Sequence, residues 1–318
     1  MRNEYFFRVA DLLFSVNLPD DWDMETLLPS FLPFRCGTSP EGRRIFRLLV
    51  VTQPFVADGK RMRLLDESSN DMGHVRLLRG VDGYRMEIDC GSVGGCMHVM
   101  TTDCFFDRAM AFLRPEDPDT GPVLSSMLRI LYAQAVLKHD GVSIHASCVS
   151  MGRKSCLFLG KSGTGKSTHA RQWVETFSGC SLLNDDNPVL RLVGDEVVAY
   201  GTPWSGKTPC YKNECYPVAG IARLQQAVTN RFTPLADTES FAALLPSCSA
   251  IRQDARLQDA LYRTLIYLSE HVSVGRLECR PDAEAARLCF EGLHVKKIKD
   301  EETVLQKRTS GWLPMRMK

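Results

Sequence analysis

The sequence lacks any run of apolar residues approaching the roughly 20 that a membrane-spanning helix requires. Its opening, Met1-Arg-Asn-Glu-Tyr-Phe-Phe7, has no long apolar core behind its charge, so a secretion signal is not expected. Net charge is almost absent as well, at +1. A nucleic-acid partner normally leaves a basic footprint, and that class is therefore not expected. There is no Cys-x-x-Cys pair among the 12 cysteines. The closest spacings, Cys210 to Cys215 and Cys90 to Cys96, do not suit a zinc knuckle, and scattered thiols of this kind fit a reduced compartment. These absences predict a soluble, cytoplasmic protein with neither membrane nor nucleic acid as partner.

What is present is an α/β chain. Its 318 residues exceed what one compact core usually needs, and two units are expected. Residues 1–118 read as a β-rich accessory domain, with short strands over Tyr5–Val16, Arg47–Thr52, Val75–Leu78, Tyr84–Ile88 and Cys96–Thr101. Asp82-Gly83 marks a hairpin turn. Asp20, Asp21 and Asp23 lack a calcium-loop pattern and read as a solvated loop. Phe105–Leu113 reads as a short helix, and Arg114–Pro122, rich in proline and acid, as the linker. Residues 119–318 form the second unit, opening with a helix over Ser125–Lys138 capped by Ser125 or Ser126.

Within that unit one stretch carries chemistry. Gly160-Lys-Ser-Gly-Thr-Gly-Lys-Ser167 follows an apolar strand and precedes a helix expected over Thr168–Phe177. Glycines 160, 163 and 165 let backbone N–H groups turn inward around a phosphate chain, and the helix N-terminus behind them favours negative charge. With Ser162, Thr164 and Thr168 they form the expected nucleotide cradle; Lys166 would reach the β/γ-phosphates and Ser167 would ligate Mg²⁺. The expected ligands are therefore ATP and Mg²⁺.

Upstream, Gly141–Val149 reads as one strand and Ser155–Leu159 as the next, in a hairpin centred on Gly152. Facing residues then sum to about 304, which sets His145 opposite Leu159, beside the loop mouth, as an acid, base or phosphate contact. Downstream, the strand Cys180–Leu183 runs into Asn184-Asp185-Asp186. Strand, helix and strand make a parallel crossover, so both acids should emerge at the edge that carries the loop. One carboxylate can hold Mg²⁺ and the other can take a proton from a hydroxyl; either residue suits either job. Gly201-Thr-Pro-Trp-Ser-Gly-Lys-Thr208 repeats the loop pattern, but Pro203 removes an N–H and no convincing helix follows. It reads as a rigid loop that presents Lys207, with Ser205 and Thr208, to the same edge. Further elements are a strand at Val218–Leu224, helices at Asp237–Leu245 and Asp254–Leu268, a strand at Val272–Leu277, and a helix at Asp282–Leu293. The tail beyond His294 mixes both charges and reads as a surface or subunit contact, so a homo-oligomer is possible.

Ile144-His145-Ala146, Gly160–Ser167 and Leu183-Asn-Asp185-Asp186, with acids only one short crossover after Lys166, resemble the catalytic domain of HPr kinase/phosphorylase. The likeness to phosphoenolpyruvate carboxykinase is more distant. The resemblance covers about residues 140–225. It implies a phosphoryl-transfer fold with a mixed sheet, in which Lys166 and Ser167 bind nucleotide and Mg²⁺. It also implies that Asp185 or Asp186 activates a hydroxyl of a protein, peptide or small molecule, with His145 nearby. Tyr216-Pro-Val-Ala-Gly-Ile-Ala-Arg-Leu224 stands where HPr kinase carries an acidic, glycine-containing signature, so the protein HPr is not the implied acceptor. A nucleotide-binding regulatory or scaffold protein is the alternative; carboxykinase chemistry is disfavoured by length.

Overall fold

The computed structural model describes residues 2–38, 40–54, 61–70, 73–91, 97–206 and 208–293. Its architecture is mixed α/β, with two mixed sheets and six α-helices among those residues. The first sheet takes β1 (Arg2–Val9), β2 (Leu12–Pro19), β3 (Arg44–Val51), β4 (Arg63–Asn70), β5 (Gly73–Arg79), β6 (Gly83–Asp89), β7 (Met97–Asp103) and β8 (Arg108–Phe112). Their order is β1-β2-β3-β8-β7-β6-β5-β4, with β2–β3 and β3–β8 parallel. Helix α1 (Met24–Leu27) lies between β2 and β3, and Asp23 caps it by accepting the N–H groups of Glu25 and Thr26.

Two expectations for this sheet fail for local reasons. Tyr5–Val16 is a hairpin rather than one strand, because Ala10 and Asp11 take φ of 48° and 60° and turn the chain between Val9 and Leu12. Two adjacent left-handed residues make the hairpin turn whose twist matches the strands, here without the usual Asn-Gly signal. Phe105–Leu113 is not helical: Phe106 turns at φ 58°, and Arg108–Phe112 then alternates in burial as β8 between β3 and β7. The turn at Asp82-Gly83 is as expected.

Arg114–Pro122 is packed rather than loose. His98, fully buried on β7, donates from Nε2 to the buried Asp117 carboxylate at 3.0 Å, and the N–H of Asp119 reaches the same side chain. Helix α2 (Thr120–Ala135) begins five residues ahead of the expected serine caps, since Pro122 sits in its first turn, where no intrahelical N–H is required. The α2 side chains Val123, Leu124, Met127, Leu128, Leu131 and Tyr132 are buried in a core shared by both sheets. Tyr132 packs against Phe14 of the first sheet and against Trp204 of the second half. Its hydroxyl donates to the Val9 carbonyl at 2.9 Å. Tyr132→Phe keeps the ring but loses this hydrogen bond, and should cost about 1 kcal/mol in urea unfolding.

The second sheet holds β9 (Gly141–Ser143), β10 (Ala146–Met151), β11 (Lys154–Leu159), β12 (Cys180–Asp186), β13 (Val189–Val193), β14 (Glu196–Tyr200), β15 (Cys215–Gln226), β16 (Arg231–Pro234) and β17 (Ser273–Cys279). Its main path is β12-β10-β11-β15-β14-β13-β9, with β17 joining β15 and β16. Helix α3 (Lys166–Thr176) connects β11 to β12; α4 (Asp237–Leu244) and α5 (Ala255–His271) precede β17, and α6 (Ala283–Gly292) follows it. Trp173 of α3 and Cys289 of α6 are fully buried in a second core beneath β10, β11 and β15. Ala236 occupies the N-cap position of α4. The tail from His294 lies outside the described residues.

Candidate functional site

The expected crossover from β11 through α3 to β12 is present, with β10 lying between its two strands and antiparallel to both. Strands β11 and β12 therefore end at one edge, and β10 begins there. The expected strand Gly141–Val149 breaks at Ile144-His145: β9 pairs with β13, while β10 pairs with β11 and β12. The hairpin register is also shifted by one. Met151 pairs with Lys154 across a two-residue turn at Gly152-Arg153, so Ala146, not His145, faces Leu159. His145 falls just outside the ladder and its side chain is free to face the loop.

The loop owes its shape to two glycines. Gly163 and Gly165 take φ of 77° and 103°, which side-chain-bearing residues rarely adopt. Gly165 is also the N-cap of α3, and no side chain caps that terminus, so its first-turn N–H groups face the loop. Helix α3 starts at Lys166, two residues earlier than expected. The Thr164 hydroxyl donates to the Lys161 carbonyl at 2.7 Å and braces the turn, and a Cβ on Gly160 would press within 3.0 Å of Thr164. Ser162 in the loop and Ser167 and Thr168 in the first turn of α3 are exposed.

Lys166 is buried at its base. Its ammonium lies 2.8 Å from His145 Nε2, 3.2 Å from the Gly160 carbonyl and 3.4 Å from that of Lys161. Burial lowers its pKa, and the nearby Asp186 and Asp185 carboxylates oppose that shift. An ammonium only donates, so His145 Nε2 accepts and its proton sits on Nδ1. That nitrogen lies 3.0 Å from Asp186 Oδ1. A continuous chain runs from Lys166 through His145 to Asp186.

The two acids part as adjacent strand residues do. Asp185 is buried, and its Oδ1 accepts from the Ser147 hydroxyl at 2.5 Å and from the Ser167 hydroxyl at 2.9 Å. Asp186 turns the other way, toward His145 and the Asn187 side-chain amide. Burial pushes its carboxyl up, but its hydrogen bond with and electrostatic attraction to His145, then Arg129 and the Asn187 hydrogen bond, outweigh it and hold the pKa below the ordinary 3.8. Its φ of 138° is one that a non-glycine residue rarely takes, and such strain clusters at functional positions. Asn184 braces both acids from below. Buried completely, it donates to the Thr202 and Trp204 carbonyls and accepts from the Asn187 N–H.

Ser205 and Gly206 lie against this edge. Ser205 bridges to Asp186 and its hydroxyl donates to the Asp185 carbonyl at 3.1 Å, with the Gly206 N–H donating to the same oxygen. Lys207 lies outside the described residues. Ser147 and Arg129 were missed by sequence reasoning. Ser147 stands opposite Asp185 in a pairing between β10 and β12 that no local pattern announces. Arg129 lies on a helix whose apolar stripe alone was legible.

A carboxylate and a hydroxyl at the mouth of an uncapped helix are the hard oxygen donors that Mg²⁺ takes, and the loop glycines leave room for a phosphate chain. The residues present thus fit both a nucleotide and its metal.

No family model matches the chain. No curated protein matches it either. Among solved structures, the HPr(Ser) kinase/phosphatase from Coxiella burnetii aligns over 54% of this chain and 99% of its own, at 10% sequence identity and a TM-score of 0.30. None of the described helices is long and apolar enough to cross a membrane.

Proposed function

We propose that the protein is a Mg²⁺-dependent phosphotransferase that moves the γ-phosphoryl group of ATP to a hydroxyl acceptor. The observation that carries this reading is the convergence of Lys166, Ser167, Asp185, Asp186 and His145 on one sheet edge behind the glycine-rich loop. In this assignment the N-terminal N–H groups of α3 and the Lys166 ammonium bind the phosphates, Lys166 exchanging its loop carbonyls for phosphate oxygens. Ser167 and Asp185 would hold the metal, which would supply neutralisation of charge on the phosphate oxygens. Ser147 fixes the Asp185 rotamer by donating to the same oxygen.

Asp186 is the base. The acceptor hydroxyl loses its proton to the Asp186 carboxylate as its oxygen bonds the γ-phosphorus. The bond from that phosphorus to the β-bridging oxygen breaks, and ADP leaves with the electron pair. A carboxylate with a lowered pKa is a weak base, but phosphoryl transfer depends more on aligning the hydroxyl than on base strength. His145, held between Lys166 and Asp186, keeps the carboxylate oriented and ionised.

A calorimetric titration with ATP, with and without Mg²⁺, tests the site as a unit. Lys166→Ala should weaken binding at least about tenfold, the value of one charge-assisted contact. A double Asn substitution at Asp185 and Asp186 should remove the Mg²⁺ dependence. Equal, Mg²⁺-insensitive binding by wild type and both variants would sink the nucleotide reading.

A further inference from the structure

A cavity of about 450 Å³ lies between the first sheet, helix α2 and the segment Cys248–Gln253. Its size is that of a small-molecule site. Leu77, Met86, Ile88, Ile130 and Ile251 supply an apolar lining. The segment forming one wall is tied directly to the strand break that carries His145. The His145 N–H donates to the Ser247 carbonyl at 2.7 Å, Ile144 bridges Cys248, and the Ser249 N–H donates to the Ser143 carbonyl at 2.9 Å. Gln134 of α2 pins the far end by accepting from the Ile251 N–H at 2.9 Å. One wall of the cavity is therefore joined through the backbone to the strand break that carries His145.

Arg129 lines it, half-buried on α2, and among the described residues makes no hydrogen bond or ion pair. It is near enough to Asp186 to help hold that carboxyl ionised. Arg252, the other lining arginine, is exposed and donates to the Leu245 carbonyl, and the lining carboxylate Asp66 is exposed too. The Arg129 guanidinium is open to a ligand in the cavity, and a guanidinium suits a carboxylate bidentately.

We propose that this cavity binds the phosphoryl acceptor, and that the acceptor is a small hydroxy acid with an apolar body. Arg129 pairs with its carboxylate, the apolar lining covers its body, and its hydroxyl faces Asp186. The assignment rests on the phosphotransferase reading for its chemistry, but the binding claim is testable apart from it.

The probes are N-octanoyl-L-serine and its carboxamide, titrated into the full chain by calorimetry, with and without ADP and Mg²⁺. The carboxylate should bind about tenfold more tightly than the amide, the worth of one charge-assisted contact. Arg129→Met should collapse that ratio toward one, and Arg129→Lys should recover part of it; thermal melts verify that both variants are folded. A ratio near one in wild type, an undiminished ratio in Arg129→Met, or no saturable binding of the carboxylate would overturn the proposal. The titration with ADP alone reports on the nucleotide site, so its failure is read separately from failure of the cavity.

Discussion

Asp186→Asn should lower phosphoryl transfer by about 100- to 10,000-fold, the usual worth of a positioned general base. The substitution preserves size, and its amide oxygen can still accept from His145 Nδ1, so the geometry at the end of β12 survives. What is lost is the negative charge and the capacity to take a proton. The check is acceptor-dependent ADP formation by both proteins at matched nucleotide occupancy. An undiminished rate in the variant would remove Asp186 from the mechanism and shift attention to Asp185. The pH dependence has a definite sign. Because the folded-state pKa lies below 3.8, the carboxylate's contribution to stability is fully present above that ordinary value and is lost as pH falls through the lower one. Wild type and Asp186→Asn should thus differ in the slope of stability against pH only on the acid side, while the rate difference persists at neutral pH.

Asp117→Ala should destabilise the protein by about 3–5 kcal/mol, because it leaves His98 at the core with no carboxylate to receive its proton. Both side chains are fully buried. The pair does more than fill space. Asp117 receives the N–H of Asp119, and His98 Nδ1 accepts the N–H of Arg114 at 3.4 Å, so one buried hydrogen-bonded pair fixes the backbone on both sides of the turn into α2. Chemical denaturation at neutral pH measures the loss. A change below about 1 kcal/mol would mean that water or a neighbouring group replaces the carboxylate.

Much of the site was legible because its parts are local. The glycine spacing around Lys166 and Ser167, the apolar strand ahead of it and the acids after one short crossover are all readable within thirty residues. The position of His145 was reached through a register one residue off; the correct one follows from a two-residue turn at Gly152-Arg153 rather than a turn centred on a single glycine. What escaped was non-local or carried by unusual backbone. The roles of Ser147 and Arg129 depend on neighbours far along the chain. The turn at Ala10-Asp11 uses two residues that do not advertise positive φ, and β8 follows a left-handed Phe106. Strand β16 was missed because Arg231–Pro234 is short and ends in proline, which suits only an edge. The packed joint at Arg114–Pro122 looked like a linker because proline and acid signal loops, whereas a buried carboxylate signals nothing until its histidine is known.

The neighbours of β11 have a consequence for how the protein comes into being. The strand leading into the glycine loop meets β10 through a tight hairpin, but its other side waits for β15: Leu157 pairs with Ile221, and Ile221 in turn pairs with Val274 of β17. Both are parallel pairings between distant stretches of chain, and closing such loops costs entropy before any contact repays it. During synthesis the loop and both acids leave the ribosome well before the strands that flank them on that side. The nascent chain therefore carries an unfinished candidate site, with an open strand flank at risk of mispairing, until β15 and β17 are made.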